Sequence, residues 1–102
     1  MKVQLLVFSG CPHAAAARAL IERVLASNGR AEFEELDTTA EETPERLRGW
    51  GSPTILVDGV DIEGRLTPAG EGCRVYRDSD GRLQGIPPEA MLRAAVGRTE
   101  MA

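Results

Sequence analysis

The chain has little of several residue types that carry chemistry elsewhere. Among its 102 residues there are one histidine, two cysteines, one tryptophan, one tyrosine and two phenylalanines, and Lys2 is the only lysine. With so few thiols and imidazoles there is no zinc cluster, and neither a serine triad, a glycine-rich phosphate loop nor a dinucleotide fingerprint is present. No cofactor is called for. Positive charge is also short: the net charge is −4 and the pI is near 5.0. Nucleic acid and anionic membranes are therefore poor partners, because phosphate binding needs a basic face. The first apolar run spans about six residues, far short of a signal-peptide core or a membrane span. The expected location is the cytoplasm. No internal repeat, linker or low-complexity block divides the chain. Its 42% hydrophobic and 27% charged residues are those of an ordered globular domain. One domain, 1–102, is expected.

In a reducing compartment Cys11 and Cys73 are expected to be free, catalytic or metal-binding rather than a structural staple. Cys11 has the more informative setting. The run Val3-Gln4-Leu5-Leu6-Val7-Phe8 ends in Ser9-Gly10, Cys11 follows, and helical periodicity begins at once. That order is strand, tight turn, thiol, helix. Unpaired N–H groups and the helix dipole favour a thiolate there. The dipole contributes only about 0.3–1 kcal/mol, so activation also calls for N–H hydrogen bonds or for His13, two residues on. Pro12 between them suits a first helical turn, where its missing N–H costs nothing.

Along the chain, residues 3–8 read as a strand buried on both faces. A helix is predicted over 12–28, with Ala17, Leu20, Ile21, Val24 and Leu25 on its core stripe and Asn28-Gly29 as its stop. A second strand over 31–37, anchored by Phe33 and Leu36, would lie parallel to the first after a right-handed crossover. The cap-rich stretch 38–45 predicts a short helix through Leu47 and Arg48. Trp50 reads as a core anchor of that helix, with the entrance of a site as the alternative. Strands over 54–57 and 60–62 flank Asp58-Gly59, a strong hairpin signal, and Asp58 and Asp61 read as turn and strand-end residues. The glycine-rich stretch 63–85 is an irregular excursion containing Cys73, a strand-like piece at 74–77 and a turn at 78–81. A last helix opens at Pro87-Pro88-Glu89, buries Met91, Leu92, Ala95 and Val96, and stops at Gly97, leaving 98–102 to fray.

The order βαβ-α-ββ-α, with Cys11-Pro12-His13 at the first strand–helix junction and Ser52-Pro53-Thr54 before the hairpin, resembles the thioredoxin-like superfamily. The resemblance covers nearly the whole chain apart from 63–85. It implies an α/β fold with a four-stranded mixed sheet flanked by helices, Cys11 as nucleophilic thiol, and Pro12 and His13 as the dipeptide that tunes it. Pro53 becomes a cis proline facing the thiol, and Ser52 the residue whose backbone pairs with an extended substrate. The chain departs from the dithiol members in having Ala14 where they carry a resolving cysteine, so no four-residue disulfide forms. Cys73 or an external thiol would then resolve a mixed disulfide with a small thiol or protein disulfide substrate. Alternatively, Cys11 and Cys73 together would grip a soft ion such as Hg(II) or Cu(I), or the thiol would be vestigial in an adaptor. The run GSPTILVDGVD, with CRVYR and the Ile-Pro-Pro-Glu helix start beyond it, is similar to small thioredoxin-like proteins associated with bacterial alkylmercury lyases.

Overall fold

The computed structural model of the chain describes residues 1–68, 70 and 72–101. Its centre is β1, Lys2–Val7, which carries a neighbour on each side. β2, Glu32–Asp37, pairs with it in parallel, with Val3 opposite Phe33 and Leu6 opposite Leu36. β3, Thr54–Val57, pairs antiparallel on the other side, with Leu6 opposite Thr54. β4, Val60–Asp61, completes the order β2-β1-β3-β4. The expected parallel strands and the Asp58-Gly59 hairpin are both present. Asp58 and Gly59 take φ of 49° and 82°, the positive pair required for a tight turn whose twist matches its strands.

Both helices lie against one face of the sheet. There Val3, Leu5, Val7, Ile55 and Val57 pack with Ala17, Leu20, Ile21 and Val24 of α1, Ala14–Leu25, and with Leu92, Ala95 and Val96 of α2, Glu89–Met101. The opposite face has no α-helix among the described residues. Leu6 and Leu56 are covered there by Leu47 and Trp50, so the expected helices flanking the sheet are found on one side only. Trp50 is buried and its indole N–H donates to Arg46 O at 3.1 Å, as a core anchor should.

Several predicted boundaries move for identifiable reasons. α1 starts at Ala14, because Cys11 O accepts from Ala14 N–H in a four-residue turn that holds Pro12 and His13 outside the helix. The short helix is a single 3₁₀ turn, Glu45–Leu47. The polar residues before it close local turns instead: Asp37 accepts from Thr39, Thr43 Oγ1 donates to Asp37 O, and Arg48 donates to the carbonyls of Ala40, Glu41 and Thr43. Gly97 does not stop α2. A glycine ends a helix by turning left-handed, whereas Gly97 is absent from the positive-φ glycines and the helix runs on to Met101. Thr99 Oγ1 bonds to Ala95 O, and Asn28 Nδ2 meets Glu100 Oε1. Fraying at Ala102 lies outside the described residues.

The 63–85 excursion contains the expected small hairpin, β5, Tyr76–Arg77, paired with β6, Leu83–Gln84. Its anchor is Arg74. The guanidinium side chain is 1% exposed and forms a two-point pair with Asp61 at 2.7 and 2.8 Å. It also donates to Glu63 and to Thr54 Oγ1, both at 2.9 Å, and lies 4.8 Å over the Tyr76 ring. Burial works against its charge, but the hydrogen bonds to Asp61 and Glu63 outweigh that and hold Arg74 protonated above its ordinary value. Asp61 is therefore a buried ion partner rather than a plain strand-end residue. Arg74→Ala leaves its carboxylate buried and unmatched, and should lower stability by about 3–5 kcal/mol in urea denaturation.

Candidate functional site

The residues of interest gather where β1 leaves the sheet. Phe8 departs from the ladder and its N–H donates to Ser52 Oγ at 3.3 Å. Phe8 O then accepts from Cys11 N–H at 3.2 Å across Ser9 and Gly10, a turn that requires the positive φ of Gly10, 83°. This turn places Cys11 two residues ahead of His13–Ala14, where α1 begins without a side-chain cap. Cys11 is 9% exposed and belongs to the apolar cluster of the helical face. It lines a cavity of about 340 Å³ together with Ala14, Arg18, Glu35 and Asp37.

Charge in that cavity is mixed. Arg18 forms a two-point pair with Glu35 at 2.6 and 2.8 Å, and those bonds hold the Glu35 carboxyl below its ordinary value. Hydrogen bonds from the Thr39 hydroxyl and N–H lower Asp37 likewise. A larger cavity, about 420 Å³, shares Phe8 and Ser9 with the first and is bounded by Thr38, Thr39, Arg48 and Gly72.

His13 is half-buried, and its ring lies over Gly85 after β6, where a Cβ would overlap three ring atoms. The imidazole is thus held by the excursion as well as by the start of α1. Ser52 and Pro53 are buried, and the bond between them is cis, as the resemblance implies. Ser52 also shows what the sequence did not suggest. Its N–H donates to Gly72 O at 2.8 Å and its C=O accepts from Arg74 N–H at 2.9 Å, so the backbone groups assigned to an extended substrate are occupied within the chain. Tyr76, fully buried and with its hydroxyl pushed to a higher pKa by that burial, donates to Pro53 O at 2.6 Å.

Cys11 and Cys73 are both free thiols. Cys73 is exposed and faces a separate cavity of about 210 Å³ lined by Trp50, Arg65 and Arg74, which does not include Cys11. Among the described residues no group of three or more His, Cys, Asp or Glu side chains is placed to hold a metal ion, and no helix is long and apolar enough to cross a membrane. The sequence reading missed Arg74, Asp61 and Tyr76 as the frame behind Ser52-Pro53. The only hint was their place beside a hairpin and in a strand-like piece. No spacing rule marks a buried ion pair formed across a loop.

Set against family models, curated proteins and solved structures, the chain matches none.

Two outcomes follow from this geometry. Gly85→Ala should displace the His13 ring at a cost of about 0.5–1.5 kcal/mol, read as a shift of the His13 ring resonances by NMR. Glu35 has a folded value below the ordinary 4.5, so its pair stabilises the fold above that value and is lost as pH falls through the folded one. The difference in denaturation midpoint between wild type and Glu35→Gln should therefore be largest near neutrality and close in acid.

Proposed function

We propose that this chain is a thioredoxin-like thiol protein in which Cys11 exchanges with disulfides and an external thiol completes the cycle. The single observation behind this reading is the position of Cys11, in a cavity at the turn between the central strand and the uncapped start of α1. The strand order β2-β1-β3-β4 and the thiol's place directly after β1 support the thioredoxin-like arrangement.

In the forward step the Cys11 thiolate attacks one sulfur of a disulfide R–S–S–R′. The Cys11–S–S–R bond forms as the R–S–S–R′ bond breaks, and R′S⁻ leaves with the electron pair and takes a proton from solvent. A second thiolate R″S⁻ then attacks the R sulfur of the mixed disulfide, so that R–S–S–R″ forms as the bond to Cys11 breaks and Cys11 leaves as thiolate. Ala14 offers no thiol for that second step, and Cys73 lines a different cavity, which favours a thiol from outside such as glutathione. Two free thiols suit a reducing compartment such as the cytoplasm. Joint grip of a soft ion would need both thiols at one place, and their separate cavities do not favour it.

In a glutathione redox series followed by mass mapping, Cys11 should carry one glutathione in the wild type and in Cys73→Ser. Cys11→Ser should carry none at that position. A dominant Cys11–Cys73 bond would instead make Cys73 the resolving thiol, and a Cys11 that never takes up glutathione would overturn the exchange reading.

A further inference from the structure

The clearest feature outside that cycle is the segment Gly72-Cys73-Arg74, which pairs with Ser52 in a parallel bridge. β4 covers β3 only as far as Ile55, through the bond from Ile62 N–H to Ile55 O. Beyond it, Ser52 lies beside Phe8 and therefore beside the turn that carries Cys11. A backbone N–H and C=O left free there would form a sheet edge next to the thiol, the kind of edge to which an extended polypeptide adds as a further strand. In this chain both groups are already bonded to Gly72 and Arg74.

The segment is fastened on both sides. Gly70 N–H donates to Gly49 O at 2.8 Å before it. After it come the four hydrogen bonds of the buried Arg74 guanidinium and the bond from Tyr76 to Pro53 O. Gly72 also forms part of the wall of the 420 Å³ cavity that shares Phe8 and Ser9 with the Cys11 cavity. What remains near the thiol is a pair of cavities rather than an open edge.

We infer that Gly72-Cys73-Arg74 is a built-in strap that occupies the strand position at Ser52 and restricts Cys11 to low-molecular-weight disulfides, excluding extended polypeptide ones. This rests on the exchange reading of Cys11 and sets its substrate class. The exchange step is unchanged. The strap selects which R–S–S–R′ brings its sulfur to Cys11.

The test compares two reagents with the same leaving group on the folded Cys73→Ser protein, where Cys11 is the one thiol. One is the thionitrobenzoate disulfide of N-acetylcysteine amide, and the other the thionitrobenzoate disulfide of a cysteine in the middle of an extended polar peptide. Release of thionitrobenzoate is followed, and each rate is divided by that of the same reagent with the urea-unfolded chain. The peptide reagent should be slower by about tenfold or more after that correction, as expected when two hydrogen bonds must open first. Gly72→Val has open space for its side chain but sits at φ 108°, a conformation valine does not tolerate, so it should displace the strap and narrow the ratio several-fold. Tyr76→Phe, which removes only the bond to Pro53 O, should narrow it in the same sense if the valine variant does not fold. Equal corrected rates in the Cys73→Ser protein would overturn the strap while leaving exchange at Cys11 intact. Failure of both reagents to react with the folded protein would overturn the exchange reading itself, and the substrate class with it. Amide hydrogen exchange at Ser52 and Arg74 supplies an independent check, since the strap requires both to be protected.

Discussion

Taking a guanidinium out of water costs several kcal/mol unless a carboxylate meets it in good geometry, and Arg74 meets that condition through Asp61 at 2.7 and 2.8 Å. The pair joins the irregular 63–77 stretch to the end of β4, and the Thr54 hydroxyl extends it to the start of β3. That hydroxyl in turn donates to the carbonyls of Trp50 and Gly51, on the approach to Ser52. Tyr76 lies under the guanidinium and holds Pro53 O. A loop with little apolar side chain to bury is thereby fixed by polar contacts shielded from water. An apolar set of similar volume can be as stable as such a pair, whereas removing one partner strands the other's charge.

The same frame decides what surrounds the thiol. Cys11 owes its position to a local device, the left-handed Gly10 turn between β1 and α1. The residues on either side of it bond far along the chain: Phe8 to Ser52, Ser52 in turn to Gly72, and His13 lies against Gly85. The setting of Cys11 thus combines one local turn with an excursion far along the chain. The thiol is 9% exposed, and both backbone groups of Ser52 nearby are already bonded.

Much of the fold was legible where local preference and burial pointed the same way. The apolar run 3–8, the stripe Ala17-Leu20-Ile21-Val24 and Asp58-Gly59 each carry a pattern matched to one backbone geometry, and each is found within a residue or two of its expected place. Legibility failed where side chains had two options. Asp37, Thr39 and Thr43 are as able to close turns as to open a helix, and they close turns. Gly97 can end a helix or sit inside one, and contacts from Asn28 and Thr99 to the last turn keep it inside. Of the candidate site, Cys11 and the Ser52-Pro53 pair stood out because their neighbours in sequence mark strand ends. The roles of Arg74, Asp61 and Tyr76 did not, because nothing local requires a charged or phenolic side chain to turn inward.

The sequence by itself determined the elements and their order: a buried central strand, a thiol between it and an amphipathic helix, a parallel second strand, a tight hairpin and a closing helix. These follow from periodicity, turn residues and caps, which act over a few residues and read the same in any context. Tertiary structure alone decided which backbone groups near the thiol are free. Whether the N–H and C=O of Ser52 await a partner or already have one depends on where Gly72 and Arg74 come to rest. That is settled by a buried charge finding its carboxylate across a loop, an interaction whose strength exists only once water has been excluded.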